Sequence, residues 1–178
     1  SRGIARGRQL IDQLLSLAAA QSTSERVHTR LSVHAVYRQV LEDLLPLAER
    51  KQLDIGVDGA QDVHVTFNAM DLFTLVKNLV DNAIRYTPEG GRIDLSVTQT
   101  PGAVVLHIKD SGPGIATEEQ ARVFDPFYRS LGTDEAGSGL GLSIVKAIVE
   151  RSGARVQLSF SDTQAQRGLC VTVWLQAL

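Results

Sequence analysis

A glycine-dense stretch between residues 111 and 141 limits the folds that are open to this chain of 178 residues. Six of the fifteen glycines fall within it, between segments whose hydrophobic patterns are regular. Loops of this length are uncommon inside compact domains and are usually functional lids. The stretch therefore predicts a functional loop, and the rest of the chain must supply the layers that carry it.

Hydrophobic periodicity predicts a mixed α/β fold around this loop. Recurrence at three and four residues predicts helices over 4–21, 32–51, 68–86 and 142–152. Alternating or short apolar runs predict strands over 53–57, 63–67, 92–98, 103–109, 155–160 and 169–175. We expect each successive pair of strands to be joined, the first around Asp58 and Gly59 and the second at Thr100 to Gly102. This order predicts a two-layer sandwich in which helices pack on one face of a mixed sheet.

The N-terminal helix carries a narrow apolar stripe, formed by Ile4, Ile11, Leu14, Leu15 and Ala18. Such a stripe so near a terminus is typical of a coiled coil or bundle, although the helix could also fold back on its own domain. The polar residues 21–25 end the helix and resemble a linker. We therefore expect a helical segment over 1–25 and a separate domain over 26–178.

Composition excludes several classes of protein. The net charge of −2 gives no basic surplus for nucleic-acid or membrane-surface binding. A single cysteine, Cys170, allows no internal disulfide and favours a reducing compartment. No apolar run is long enough to span a bilayer. Because the chain begins with Ser1 rather than Met, we expect it to be a fragment of a longer protein.

The segment from Lys77 to Tyr86 contains two amides that share one helix face, because Asn78 and Asn82 are four residues apart. An amide oxygen of Asn82 is a suitable Mg²⁺ ligand when phosphate and water supply the others, and Arg85 could reach the phosphates. The alternative is that this is simply a solvated helix face.

Two further motifs follow. Asp110, Gly112 and Gly114 stand where a strand ends, so a carboxylate could accept a hydrogen bond from an exocyclic amine while glycine backbone approaches a flat ring. They could equally form an ordinary turn. The run 137–142 opens a helix whose free N–H groups could bind phosphate. The chain has neither a Walker loop, a GxGxxG fingerprint nor the triplets of eukaryotic protein kinases.

In combination these motifs resemble the ATP-binding catalytic domain of bacterial two-component sensor histidine kinases, within the wider gyrase, Hsp90, histidine kinase and MutL (Bergerat, or GHKL) fold. The resemblance covers about residues 30–178. Four segments, in the family's order and spacing, look like its N box (77–86), G1 box (110–114), F box (124–129) and G2 box (137–142).

The resemblance implies a role for each matching residue. It implies that Asp110 contacts adenine. It implies that Asn78 and Asn82 bind Mg²⁺ and the phosphates, with Asn82 facing the metal. It also implies that Arg85 and Tyr86 flank the phosphate tail. It also implies that Phe124, Phe127 and the loop up to Gly137 form a mobile ATP lid. The catalytic residues implied are Asn78, Arg85 and Arg129, the last approaching the terminal phosphate. The nucleotide-binding residues implied are completed by Gly112, Gly114, Ile115, Phe127, Gly137, Ser138, Gly139, Leu140, Gly141 and Leu142.

The resemblance further implies a function in signal transduction, namely transfer of the ATP γ-phosphoryl group to a histidine and relay to an aspartate of a response regulator. None of the four histidines, His28, His34, His64 and His107, resembles a phosphoacceptor, so we expect it upstream in a hairpin of which residues 4–21 are half. The parent is expected to be a homodimer in the bacterial inner membrane with this domain in the cytoplasm. Two alternatives stay open: a nucleotide-sensing module without catalysis, and a gyrase- or Hsp90-like ATPase.

Overall fold

A computed structural model describes residues 2–22, 24–128 and 139–177 of the chain. The helices are α1 (Arg2–Gln21), α2 (Val33–Arg50), α3 (Ala69–Tyr86) and α4 (Gly141–Ser152), with one 3-10 turn at Arg122–Phe124. The strands are β1 (Thr29–Ser32), β2 (Asp54–Val57), β3 (His64–Phe67), β4 (Arg92–Thr100), β5 (Ala103–Asp110), β6 (Arg155–Ser159) and β7 (Cys170–Gln176).

Five strands form one mixed sheet in the order β2-β4-β5-β7-β6. β2 runs parallel to β4, and the other neighbouring pairs are antiparallel. β1 and β3 form a separate two-stranded antiparallel sheet. The predicted α/β class with a mixed sheet and an N-terminal helix is therefore confirmed.

The pairing predicted for the first two strands is wrong. β2 and β3 are not partners: Ile55 of β2 lies opposite Ile93 of β4, and Val65 of β3 lies opposite Leu31 of β1. β1 was not predicted at all, because four residues directly before a helix are too short to show a period. Ser32 ends β1 and also caps α2, accepting a hydrogen bond from the backbone N–H of Ala35.

Other local predictions are confirmed. Asn68 caps α3, its side chain accepting from the N–H of Asp71 at 3.0 Å. The turn between β4 and β5 joins an antiparallel pair, and α4 ends at Gly153 with a φ of +70°, the left-handed conformation that favours glycine there. Pro46 lies inside α2, which continues through it to Arg50.

The core lies between the helices and one face of the sheet. Along β5, Val104, Leu106 and Ile108 are almost fully buried, whereas His107 lies on the other face, where it pairs with Thr172. Burial lowers the pKa of His107 below its ordinary value. In the parts of the chain described here, no helix combines the length and the apolar character needed to cross a bilayer.

Helix α1 presents two different faces. Ala20 is buried and Leu17 packs against the core, so the C-terminal end of the helix does fold back onto the domain. The apolar stripe predicted from sequence is on the other side, and Ile11 and Leu15 remain 59% and 64% exposed. The packing onto the domain therefore leaves the predicted apolar stripe uncovered.

Candidate functional site

Helices α3 and α4 bring together Asn78, from the segment 77–86, and Gly141, from the segment 137–142. The side-chain N–H of Asn78 donates to the carbonyl of Thr74 at 2.7 Å, one turn earlier in α3. This bond orients the amide so that its Oδ1 faces the first turn of α4, where a Cβ on Gly141 would lie 3.4 Å from it. A side-chain oxygen and a helix N-terminus thus border the same space.

The remaining polar residues of α3 follow along the helix. Asn82 lies one turn beyond Asn78 and is half-buried. Arg85 does not extend freely, because its Nε donates to Asp81 Oδ2 at 3.1 Å. Tyr86 ends the helix and is half-buried, with its carbonyl directed towards Gly112.

Asp110 ends β5 and is buried. Its Oδ1 accepts hydrogen bonds from the backbone N–H groups of Gly112 at 2.9 Å and Leu169 at 3.1 Å. Burial raises the pKa of the carboxyl group, and these two hydrogen bonds oppose the rise. Within the residues that the structure describes, no group donates to Oδ2, which leaves that oxygen available to an amine.

The glycines of the G1 segment are required by close packing. A Cβ on Gly112 would lie 2.9 Å from the carbonyl of Tyr86, so only glycine fits between Asp110 and the end of α3. Gly114 has a φ of +80°, and a Cβ there would contact the ring of Phe160 at 3.0 Å. The carbonyl of Gly112 accepts from the N–H of Gly168 at 2.7 Å. Asp110 is consequently held by backbone on three sides.

Among the described residues, no side chain caps the N-terminus of α4. Leu140 occupies the N-cap position without a capping hydrogen bond from its side chain and is fully buried, while Leu142 is buried and Ile115 packs against the same core. The first-turn N–H groups of a helix lack intrahelical partners and attract anions. They lie beside Asn78 Oδ1, so this end of α4 could hold a phosphate group.

The described part of the F box packs beneath α4. The carbonyl of Phe124 accepts from Ser143 Oγ at 3.0 Å, whereas Phe127 is 58% exposed with a φ of +64°. The N–H of Phe127 donates to the carbonyl of Gly139 at 2.8 Å. Arg129, Gly137 and Ser138, which the resemblance also assigned to the site, lie outside the described residues.

Three contributors to the site carry no clear motif. Leu169 contributes its backbone N–H, which no side-chain pattern reveals. Gly168 contributes its N–H to the carbonyl of Gly112, and the only sequence signal for it is a glycine close to the start of a predicted strand. Lys51 donates from Nζ to the carbonyls of Ile84 at 2.8 Å and Arg85 at 3.0 Å. It therefore caps the end of α3 on which the polar residues stand.

No group of three or more His, Cys, Asp or Glu side chains that could hold a metal ion occurs among the described residues. Asn82 lies one turn beyond Asn78 on α3, and its amide oxygen is the donor type that suits a cation bound mainly through phosphate and water.

These features are typical of a nucleotide-binding domain: Asn78 Oδ1 borders the N-terminus of α4, and the buried Asp110 ends β5 close to a glycine that packs on the end of α3. Residues 67–178 match the family described as histidine kinase-, DNA gyrase B-, and HSP90-like ATPase. The chain belongs to this family, and within it to the ATP-binding domains of sensor histidine kinases.

Individual relatives agree. The chain is 31% identical over 160 residues to the swarming motility regulation sensor protein RssA of Serratia marcescens, covering 89% of this chain and 34% of that protein. It is 39% identical over 153 residues to the sensor protein kinase PmrB of Pseudomonas aeruginosa, covering 84% and 32%. The chain therefore spans about a third of the length of these curated relatives.

Solved structures show the same fold. The mycobacterial sensor histidine kinase MprB aligns with a TM-score of 0.73 at 31% identity, covering 84% of this chain and 97% of that one. Full-length ShkA, solved in complex with AMPPNP, aligns with a TM-score of 0.80 at 26% identity, covering 94% of this chain and 35% of that one.

Proposed function

We propose that this chain is the kinase domain of a two-component sensor histidine kinase that transfers the γ-phosphoryl group of ATP to a histidine outside the chain. The observation that carries the proposal is the position of Asn78 Oδ1 beside the first turn of α4, together with the buried carboxylate of Asp110, whose neighbour Gly112 packs against the end of α3. From that histidine, the phosphoryl group would pass to an aspartate of a response regulator.

Asp110 would recognise the base. Its Oδ1 is occupied by two backbone N–H groups, so Oδ2 is the atom that would accept from the exocyclic amine of adenine. Gly112 and Gly114 would let the backbone lie against the flat ring, because neither carries a side chain that would exclude it. The similarity to ShkA, which was solved in complex with AMPPNP, supports nucleotide binding by this chain.

The phosphates would lie between α3 and α4. First-turn N–H groups of α4 would bind them, and Asn82 would offer its amide oxygen to Mg²⁺. When bound, the metal ion neutralises charge that develops during phosphoryl transfer. Arg85 would exchange its bond to Asp81 for one to a phosphate, and Arg129 would approach the terminal phosphate.

The hydrogen bond from Asn78 to Thr74 favours transfer over hydrolysis. A neutral amide cannot take a proton from water as a carboxylate can, and this amide already donates to its own helix. Phosphoryl transfer needs mainly positioning and charge stabilisation, which the other residues would supply. The ATPase alternative is therefore disfavoured, and the sensing module without catalysis is disfavoured by the presence of Asn78, Asn82 and Asp110 together.

The parent protein would place this domain in the cytoplasm, below the bacterial inner membrane, and act as a homodimer. The exposed apolar stripe of α1 supports this arrangement, since it is suited to a partner helix of a phosphoacceptor hairpin. On this proposal, residues 1–25 belong to the hairpin and its linker, and 26–178 form the kinase domain.

The decisive experiment is transfer from [γ-³²P]ATP to the complete cytoplasmic segment, with and without its phosphoacceptor histidine replaced by Gln. Label that depends on the histidine and on Mg²⁺ is the expected result. Absence of label in a folded segment that binds ATP by calorimetry would favour the sensing module instead. Rapid steady-state phosphate release by the present chain alone would instead support the gyrase- or Hsp90-like ATPase alternative.

A further inference from the structure

The buried carboxylate of Asp71 joins two arginines from different parts of the chain. Asp71 lies in the first turn of α3, Arg26 follows α1, and Arg151 lies in the last turn of α4. Arg26 Nη1 donates to Asp71 Oδ1 at 2.9 Å, and Arg151 Nη2 donates to Oδ2. The three side chains are 8%, 18% and 16% exposed respectively, so water screens these ion pairs little.

The same arginines hold the end of helix α1. Arg151 Nη1 donates to the carbonyl of Ala19 at 3.0 Å and to that of Ala20, and Arg26 Nη2 donates to the carbonyl of Ala19. Carbonyls in the last turn of a helix lack intrahelical partners and attract cations. One carboxylate thus fixes two guanidinium groups that grip the C-terminus of α1 against α3 and α4.

The geometry of α1 determines what this contact does. The side that meets the domain consists of Gln13, Ser16, Leu17 and Ala20, which are half-buried or buried. At 3.6 residues per turn, the stripe of Ile4, Ile11, Leu14, Leu15 and Ala18 lies roughly 160° around the helix from that side. A helix that packs on the stripe would therefore have α1 between itself and the kinase domain.

We propose that Asp71, Arg26 and Arg151 form a latch that docks the kinase domain on α1, and that phosphoryl transfer requires this latch to open. The inference rests on the proposed function, in which the acceptor histidine belongs to the helix that pairs with the stripe of α1. The latch is also separate from the site: Asp71 precedes Asn78, the nearest site residue on α3, by seven residues, or about 10 Å of helix. Latch opening can therefore move the domain without dismantling the nucleotide cleft.

The first test is hydrogen exchange of the present chain, comparing the wild type with Asp71→Asn and Arg151→Gln. Without the latch, we expect exchange over residues 13–21 to accelerate roughly tenfold or more while exchange in β4 and β5 is unchanged. The matched control is Asp43→Asn, which removes a half-exposed ion pair with Lys77 and should leave α1 unaffected. Unchanged exchange in α1 for both latch variants would overturn the proposal.

The second test is the initial rate of autophosphorylation of the complete cytoplasmic segment carrying Asp71→Asn. We expect the rate to rise several-fold, with little change in the Kd for ATP. A detached α1 with an unchanged or slower rate would show that the latch does not restrain transfer. Failure of the wild-type segment to bind ATP would instead reject the proposed function, and the exchange comparison would still decide whether the latch exists.

Discussion

Asn78 Oδ1 and the backbone of Gly141 border each other so closely that a Cβ on the glycine would lie 3.4 Å from the amide oxygen. Two motifs that are more than sixty residues apart in the sequence thus meet at the first turn of α4. Because phosphate groups are proposed to lie at this turn, the space around Gly141 should control nucleotide affinity.

Replacing Gly141 with Ala tests this expectation. The added methyl group would contact Asn78 Oδ1 and occupy part of the space proposed for phosphate, so we expect the Kd for ATP to rise about tenfold, or about 1.4 kcal/mol. Stability should be unchanged or higher by up to about 1 kcal/mol, because alanine favours the helix. Calorimetry and urea unfolding measure the two quantities. Gly7→Ala is the matched control, since a Cβ there meets nothing within 4 Å, and it should not alter ATP binding.

Asn82→Ala should distinguish binding of the phosphates from binding of the base. The substitution removes the proposed amide ligand for Mg²⁺, so we expect transfer to be abolished and the Mg²⁺-dependent part of ATP affinity to be lost. Adenosine, which carries no phosphate, should bind as it does to the wild type. Comparing titrations with adenosine and with ATP, with and without Mg²⁺, gives this answer. Undiminished transfer would contradict the role assigned to Asn82.

Asp110→Asn should weaken ATP binding without unfolding the domain. The amide oxygen of Asn can accept hydrogen bonds from the same N–H groups of Gly112 and Leu169, but an NH₂ group then takes the place of Oδ2. That group is a donor, so it cannot accept from the adenine amine. We expect the Kd to rise about 10- to 100-fold, as for loss of a charge-assisted hydrogen bond. Normal ATP binding by Asp110→Asn would show that Asp110 does not contact the nucleotide.

Comparison of the wild type with Asp110→Asn also predicts how the unfolding free energy depends on pH. Because burial raises the pKa of Asp110 above its ordinary value of 3.8, the folded state holds that proton more tightly than the unfolded state. Its contribution to stability is therefore lost as the pH rises from about 3.8 through the raised pKa. Urea unfolding across this range should show the wild type losing stability relative to Asp110→Asn. Parallel curves would indicate that the pKa is not raised.

Lys51→Met should loosen the end of α3. Loss of the ammonium from the carbonyls of Ile84 and Arg85 should lower the unfolding free energy by about 1 kcal/mol, the usual size of a cation at a helix C-terminus. It should also weaken ATP binding several-fold, because Arg85 and Tyr86 follow that turn. Lys51→Arg should restore part of both losses. Lys146→Met, at an exposed pair with Glu150, is the control that should change neither.

Local patterns predicted most of the elements but not their pairing. The periodicity around Asn68 and the turn at Gly102 are properties of neighbouring residues, so α3 and the β4–β5 hairpin could be predicted from sequence. The parallel pairing of Ile55 with Ile93 depends on contacts between distant segments, which no local period encodes. The same distinction explains the site, where the motif of Asp110 is visible but the N–H of Leu169 that supports it is not.

The hydrogen bond from Asn78 to Thr74 also restricts how this domain could evolve. A glutamate at position 78 would have no proton to offer the Thr74 carbonyl, and two oxygens facing each other in a half-buried setting repel. A single substitution that placed a carboxylate at position 78 would therefore meet resistance from the preceding turn. A change from phosphoryl transfer to activation of water at this position would require at least one accompanying substitution or rearrangement near residue 74.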